Sequence, residues 1–142
     1  MSDKAGRVID VAQDGPRKGS LIIWDGYNGD NQAFGVVQDG ADYFLKCRQN
    51  KAFLTVENAN DGARLFLSAQ PTQQSRFRLD ETSSGSRKFI IYTFCGKVLD
   101  LFQGIKDNGT PVVQWTYNGN SNQVWYLNDP KDISSSSSEQ GV

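Results

Sequence analysis

Apolar residues fall in short runs separated by polar turns, and no stretch sustains the 3.6-residue period of a long amphipathic helix. Val8 and Val11, Leu21 and Ile23, and Val98 and Leu101 sit in β-branched-rich runs of four to six residues, which predict strands. Asp14-Gly15-Pro16, Asn28-Gly29, Asp61-Gly62, Asp107-Asn108-Gly109 and Asn118-Gly119 separate the runs as turn signals. Two further runs, Asp42 to Cys47 and Lys88 to Phe94, also predict strands. The stretch from Gly109 to Trp125 shows the grammar most clearly, with two Trp-bearing apolar segments around an Asn-Gly turn.

The pattern repeats three times, and a fixed period is the mark of a repeat architecture. Gly6 to Val11, Lys51 to Val56 and Gly96 to Leu101 open the three units. Asp10, Thr55 and Asp100 then fall 45 positions apart. Trp24, Ala69 and Trp115 align next, spaced by 45 and 46, and Phe34, Phe77 and Trp125 close the units. Three four-stranded units of about 45 residues predict an all-β chain, a β-trefoil with pseudo-threefold symmetry. Evenly spaced strands also suit a β-sandwich, but the threefold period favours the trefoil. The repeats span about residues 6–49, 50–95 and 96–131, so one domain is expected over 1–131. Residues 132–142 read by composition as a solvated Ser-rich tail. Only eleven strands are found, because the first unit lacks the strand that should precede Gly6. The N-terminal arm or part of the tail is expected to fill that place, the alternative being a partner chain that orders the tail.

With 142 residues the chain is long enough for a single core. Its net charge of −1 gives no nucleic-acid footprint, and no apolar run is long enough for a membrane span. The absence of His removes an imidazole base and His-ligated metals, and no nucleophile elbow, P-loop or paired-cysteine metal motif occurs. No enzymatic activity and no cofactor are expected. Cys47 and Cys95, with no secretory signal ahead of them, read as free thiols in a cytoplasmic protein, one that is released if it acts on foreign glycans.

Asn31-Gln32-Ala33-Phe34 and Asn122-Gln123-Val124-Trp125 resemble the Gln-x-Trp repeat of the ricin B-chain-like (R-type) lectins. Val8-Ile9-Asp10-Val11, Val98-Leu99-Asp100-Leu101 and the Trp of the intervening strand share the resemblance, which runs over about residues 6–128. The short form without disulfides is closest in style to small cytosolic fungal lectins. The resemblance implies a β-trefoil agglutinin for galactose- and N-acetylgalactosamine-type glycans on glycoproteins or glycolipids. It implies two sites, in repeats one and three: Asp10, Trp24, Asn31 and Gln32 in the first, Asp100, Trp115, Asn122 and Gln123 in the second. Tyr27 and Tyr117, at what read as matching loop positions, are candidate rims. The chemistry fits independently. The C–H face of a galactose-type ring suits a flat aromatic, and its vicinal hydroxyls suit a carboxylate that accepts two bonds.

Repeat two departs from the pattern. Thr55 replaces the Asp, Ala69 aligns with the Trp and Ser75 replaces the Gln, so no sugar site is expected there. Ile22 and Val113 stand where some relatives carry a Gln, which leaves the sugar preference open. Phe34, Phe77 and Trp125 read as core. Gln32 and Gln123 read as structural bridges ahead of direct sugar ligands, and the alternative for Asp10 and Asp100 is to cap turns. Two other functions compete on the same fold. A β-trefoil protease inhibitor would need a projecting loop, for which Asp80 to Arg87 is the candidate. A protein-interaction module would carry vestigial sugar sites. The lectin reading allows a monomer or a homodimer.

Overall fold

The computed structural model describes residues 1–127. The expected tail, and the end of the expected domain, lie outside the described residues. Eleven strands follow in order: β1 Val8–Val11, β2 Leu21–Trp24, β3 Phe34–Asp39, β4 Asp42–Cys47, β5 Phe53–Val56, β6 Leu65–Ser68, β7 Arg78–Glu81, β8 Lys88–Tyr92, β9 Val98–Leu101, β10 Val112–Trp115 and β11 Trp125–Tyr126. One-turn 3₁₀ segments at Asp30–Gln32, Gln73–Ser75 and Ser121–Gln123 precede β3, β7 and β11. A fourth, Phe102–Gly104, follows β9.

The pairing register gives the threefold symmetry directly. β1 pairs antiparallel with β2 so that Val8 faces Trp24; β5 pairs with β6 so that Phe53 faces Ser68; β9 pairs with β10 so that Val98 faces Trp115. β2, β6 and β10 then meet around the pseudo-axis through three equivalent bridges, Ile22 with Pro111, Phe66 with Ser20 and Val113 with Arg64. The remaining strands form the other hairpin set, β3 with β4 and β7 with β8. In the third unit β11 pairs with β8 on one side, and the N-terminal arm takes the hairpin place on the other. Ser2 bridges Trp125, Asp3 N donates to Val124 O at 2.9 Å and Tyr126 N to Met1 O at 2.7 Å. The arm thus takes the twelfth strand place, and the chain is a β-trefoil.

The core follows from strand alternation. Phe34, Phe77 and Trp125 are buried at equivalent places, packed with Leu21, Ile23, Leu54, Leu65, Leu99 and Leu101. Only the Trp adds a polar atom, and Nε1 donates to Leu99 O at 3.1 Å, so burial leaves no orphan donor. Phe at the other two places fills the same role without needing an acceptor.

Candidate functional site

β1 and β9 each carry a buried aspartate at the penultimate position. Asp10 and Asp100 are both 4 % exposed, and among the described residues neither has a cationic partner. Each is held from behind by the glutamine of the following 3₁₀ turn. Gln32 Nε2 donates to Asp10 Oδ2 at 2.8 Å and to Asp25 O at 2.9 Å, while its Oε1 accepts from Tyr27 N. Gln123 repeats the set, donating to Asp100 Oδ2 and Thr116 O, both at 2.9 Å, and accepting from Asn118 N. One amide thereby fixes a carboxylate, a 3₁₀ turn and the loop after the tryptophan. Repeat two keeps a smaller version, in which Thr55 Oγ1 and Ser75 Oγ meet at 2.9 Å.

The asparagines, Asn31 buried and Asn122 half-buried, bond the same strands. Asn31 Nδ2 donates to Asp10 Oδ1 at 3.2 Å and to Val11 O at 3.3 Å, and its Oδ1 accepts from Tyr27 OH at 2.7 Å. Asn122 Nδ2 donates to Leu101 O at 3.2 Å. Trp24 and Trp115, at the ends of β2 and β10, are 41 % and 38 % exposed. Asp10, Trp24, Asn31 and Tyr27 line one cleft of about 340 Å³. Asp100, Trp115, Asn122 and Asn118 line a second of about 210 Å³. Burial raises both carboxyl groups above the ordinary aspartate range, against the opposing pull of the Gln and Asn donors. Each cleft therefore offers a desolvated acceptor pair, an amide and a bare aromatic face.

The structure bears on three of the sequence expectations. Gln32 and Gln123 line neither cleft; Gln123 is fully buried, and both act on the site by orienting the carboxylate. Tyr27 and Tyr117 do not match. The N–H that bonds the buried glutamine belongs to Tyr27 in one unit and Asn118 in the other, so Tyr117 stands one place earlier. Its ring lies against Tyr92, with centroids 6.3 Å apart, and is not part of the cleft wall. In repeat two the counterpart of the tryptophans is Ser68, since it is Ser68 that pairs with Phe53, and not Ala69.

Residues from the neighbouring repeat pack against each tryptophan, and in the first cleft Gly109 also lines the wall, which the sequence reading missed. Gly109 of repeat three lies beside Cζ3 of Trp24, and Gly62 of repeat two beside Cζ3 of Trp115. Both have positive φ, +91° and +85°, where a side chain is strained. Gly109 N donates to Ile23 O at 2.8 Å and Gly62 N to Gln114 O at 2.7 Å. Gln114 in turn holds the Gly62 loop by donating to Asn58 O and Asn60 O. The residue before each glycine clamps the residue after each tryptophan. Asn108 Nδ2 donates to Asp25 Oδ2 at 2.9 Å, with Arg7 Nε 3.1 Å from Asp25 Oδ1. Asp61 accepts from Thr116 N at 2.8 Å and from Lys97 Nζ at 3.0 Å. At the third seam the bridge register puts Arg17, Lys18, Ala52 and Ala69 in these places, and neither glycine nor clamp is present. The only signal in sequence was the shared 45-residue offset of Arg7, Ala52 and Lys97.

No family model matches the chain. Over 113 residues it is 26 % identical to the main hemagglutinin component type C of Clostridium botulinum C phage, a match covering 76 % of this chain and 39 % of that protein. The chain thus spans well under half the length of the curated relatives it matches. Among solved structures, the designed three-fold symmetric protein ThreeFoil has a TM-score of 0.81 and 27 % identity, covering 91 % of this chain and 95 % of its own. A ricin B-like lectin of Macrolepiota procera, in complex with lactose, has a TM-score of 0.79 and 27 % identity, covering 92 % of each chain.

Proposed function

We propose that this ricin B-like β-trefoil is a non-enzymatic carbohydrate-binding agglutinin that recognises galactose- or N-acetylgalactosamine-type glycans through its two clefts. One observation carries the reading. A desolvated carboxylate, an exposed tryptophan face and an asparagine converge at equivalent places in repeats one and three, and all of them, with their supports from the next repeat, are gone from repeat two. A galactose-type ring stacks its C–H face on the indole, and its vicinal hydroxyls donate to the two carboxylate oxygens. The hemagglutinin relative and the lactose complex of the Macrolepiota lectin support the same reading. Both cysteines are free, which suits cytoplasmic synthesis and release onto foreign glycans on glycoproteins or glycolipids.

The protease-inhibitor alternative leaves the paired Asp, Trp and Asn sets without a role. Titration calorimetry against methyl β-galactoside tests the proposal. The unaltered chain is expected to bind two molecules at roughly 0.1 to 1 mM, about −4 to −5.5 kcal/mol each. Asp10→Ala or Asp100→Ala is expected to leave one, and the double variant none. Unchanged binding by the double variant overturns the site assignment.

A further inference from the structure

The two clefts are not equivalent, and the difference lies in one loop. In repeats two and three the β-hairpin tip after β5 or β9 reaches across to support a tryptophan of the next unit, through Gly62 and Gly109. The tip after β1 faces Ser68, where no tryptophan needs support. It turns back on itself instead. Lys18 N, at the place of those glycines, donates to Gly15 O at 3.2 Å. Gly19 N returns to Ala12 O at 2.9 Å, Ser20 Oγ donates to Arg17 O at 2.6 Å and Gln13 Nε2 to Val11 O at 2.9 Å. With Pro16 fixing one φ in the turn, the tip is a braced wall, and it stands along the cleft of repeat one. That wall accounts for the larger volume, about 340 Å³ against about 210 Å³, since the matching side of the other cleft has only Phe102 and Gln103.

Asp14 and Arg17 face the cleft from this wall, and among the described residues neither side chain has a hydrogen bond or ion pair. Arg17 stands where Asn108 and Asp61 carry the clamps of the other two seams, so its guanidinium is released from that duty. We propose that the cleft of repeat one is an extended site that reads at least two sugar residues of a glycan, with Asp14 and Arg17 as specificity determinants for the second, while the cleft of repeat three reads a terminal residue alone. A second sugar presents both donors and acceptors. Arg17 supplies up to five N–H donors and Asp14 an acceptor-only carboxylate, both presented on a braced backbone, so that only the side chains themselves are left to be ordered on binding. The proposal rests on the glycan-binding reading above and specifies its ligand.

Single-site variants separate the two ideas. Asp100→Ala leaves only the cleft of repeat one, and Asp10→Ala only that of repeat three. Each is titrated with methyl β-galactoside and with a galactose-terminated tetrasaccharide, after circular dichroism confirms the fold. For Asp100→Ala the tetrasaccharide is expected to bind at least tenfold more tightly than the monosaccharide, and for Asp10→Ala less than twofold. Adding Asp14→Ala and Arg17→Ala to the Asp100→Ala chain is expected to bring its ratio down to that of the repeat-three cleft. Equal ratios in the two single-site variants overturn the proposal, as does a tenfold ratio that survives removal of Asp14 and Arg17. Binding of neither sugar by the unaltered chain overturns the glycan reading itself and this proposal with it, a result distinct from the other two because the parent protein is then silent.

Discussion

A carboxylate taken out of water with only amide donors around it costs stability, and Asp10 and Asp100 are both in that position. Burial, the largest cause, raises each above its ordinary value; around Asp100 the nearby charge of Asp61 adds to the rise. The folded chain then holds a proton on these groups more tightly than the unfolded chain does. Between the ordinary aspartate value of about 3.9 and the raised folded value, the folded state carries more protons, so stability falls as pH rises through that window. The penalty is fully present at neutral pH and is relieved in acid. Asp100→Asn removes the charge while its carbonyl still accepts from Gln123. It is expected to raise the thermal unfolding midpoint at pH 7, to lose that advantage below about pH 3.9, and to abolish binding at the repeat-three cleft. Scanning calorimetry at the two pH values checks the sign. Galactoside affinity of the parent chain is expected to fall in acid beginning above the ordinary aspartate range, because the protonated carboxyl can no longer accept two hydroxyl bonds. Calorimetric titrations stepped down from pH 7 test this.

At the scale of elements, the sites are built across repeat boundaries. The tip after β5 belongs to a unit with no cleft of its own, yet it carries Asp61 and Gly62, which hold Thr116 and lie beside Trp115. Asp61→Ala is therefore expected to weaken galactoside binding at the cleft of repeat three by about two- to fivefold, the loss of one or two modest hydrogen bonds, and to leave that of repeat one unchanged. Titrating the variant in the Asp10→Ala and Asp100→Ala backgrounds resolves the two clefts. This construction also explains what the sequence could and could not say. Asp10, Trp24, Asn31 and their partners in repeat three were legible because each lies at a fixed offset within its own repeat, and strand alternation pinned Phe34, Phe77 and Trp125 to the core. Gly109, Asn108 and Asp61 were not, because they serve a repeat other than the one that encodes them. A shorter loop in repeat two slid Ala69 by one place, and Tyr117 follows its tryptophan by two residues where Tyr27 follows by three, in loops of equal length. Only the backbone register, Phe53 with Ser68 and Asn118 N with Gln123, restores the alignment.

For the whole molecule, the threefold frame turns two weak sites into a crosslinker. β1–β2 and β9–β10 are related by the pseudo-axis through bridges such as Ile22 with Pro111, so the two clefts are held rigidly on different sides of one domain. They cannot both engage one short glycan, but they can join two. Once a surface bears many copies, the second contact becomes effectively intramolecular, and avidity exceeds the single-site affinity by roughly 10² to 10⁴ without any new interaction. A monomer of the unaltered chain is thus expected to agglutinate galactose-bearing beads. Asp10→Ala and Asp100→Ala are each expected to retain one-site binding in calorimetry yet lose agglutination entirely. That dissociation is the decisive reading, since loss of fold would remove both. Agglutination by a single-site variant would mean that valence comes from a homodimer, and sedimentation of that variant at the assay concentration would then show a two-chain species. The corresponding place in repeat two, where Thr55 and Ser75 keep only the structural bond, is expected to add nothing to the valence.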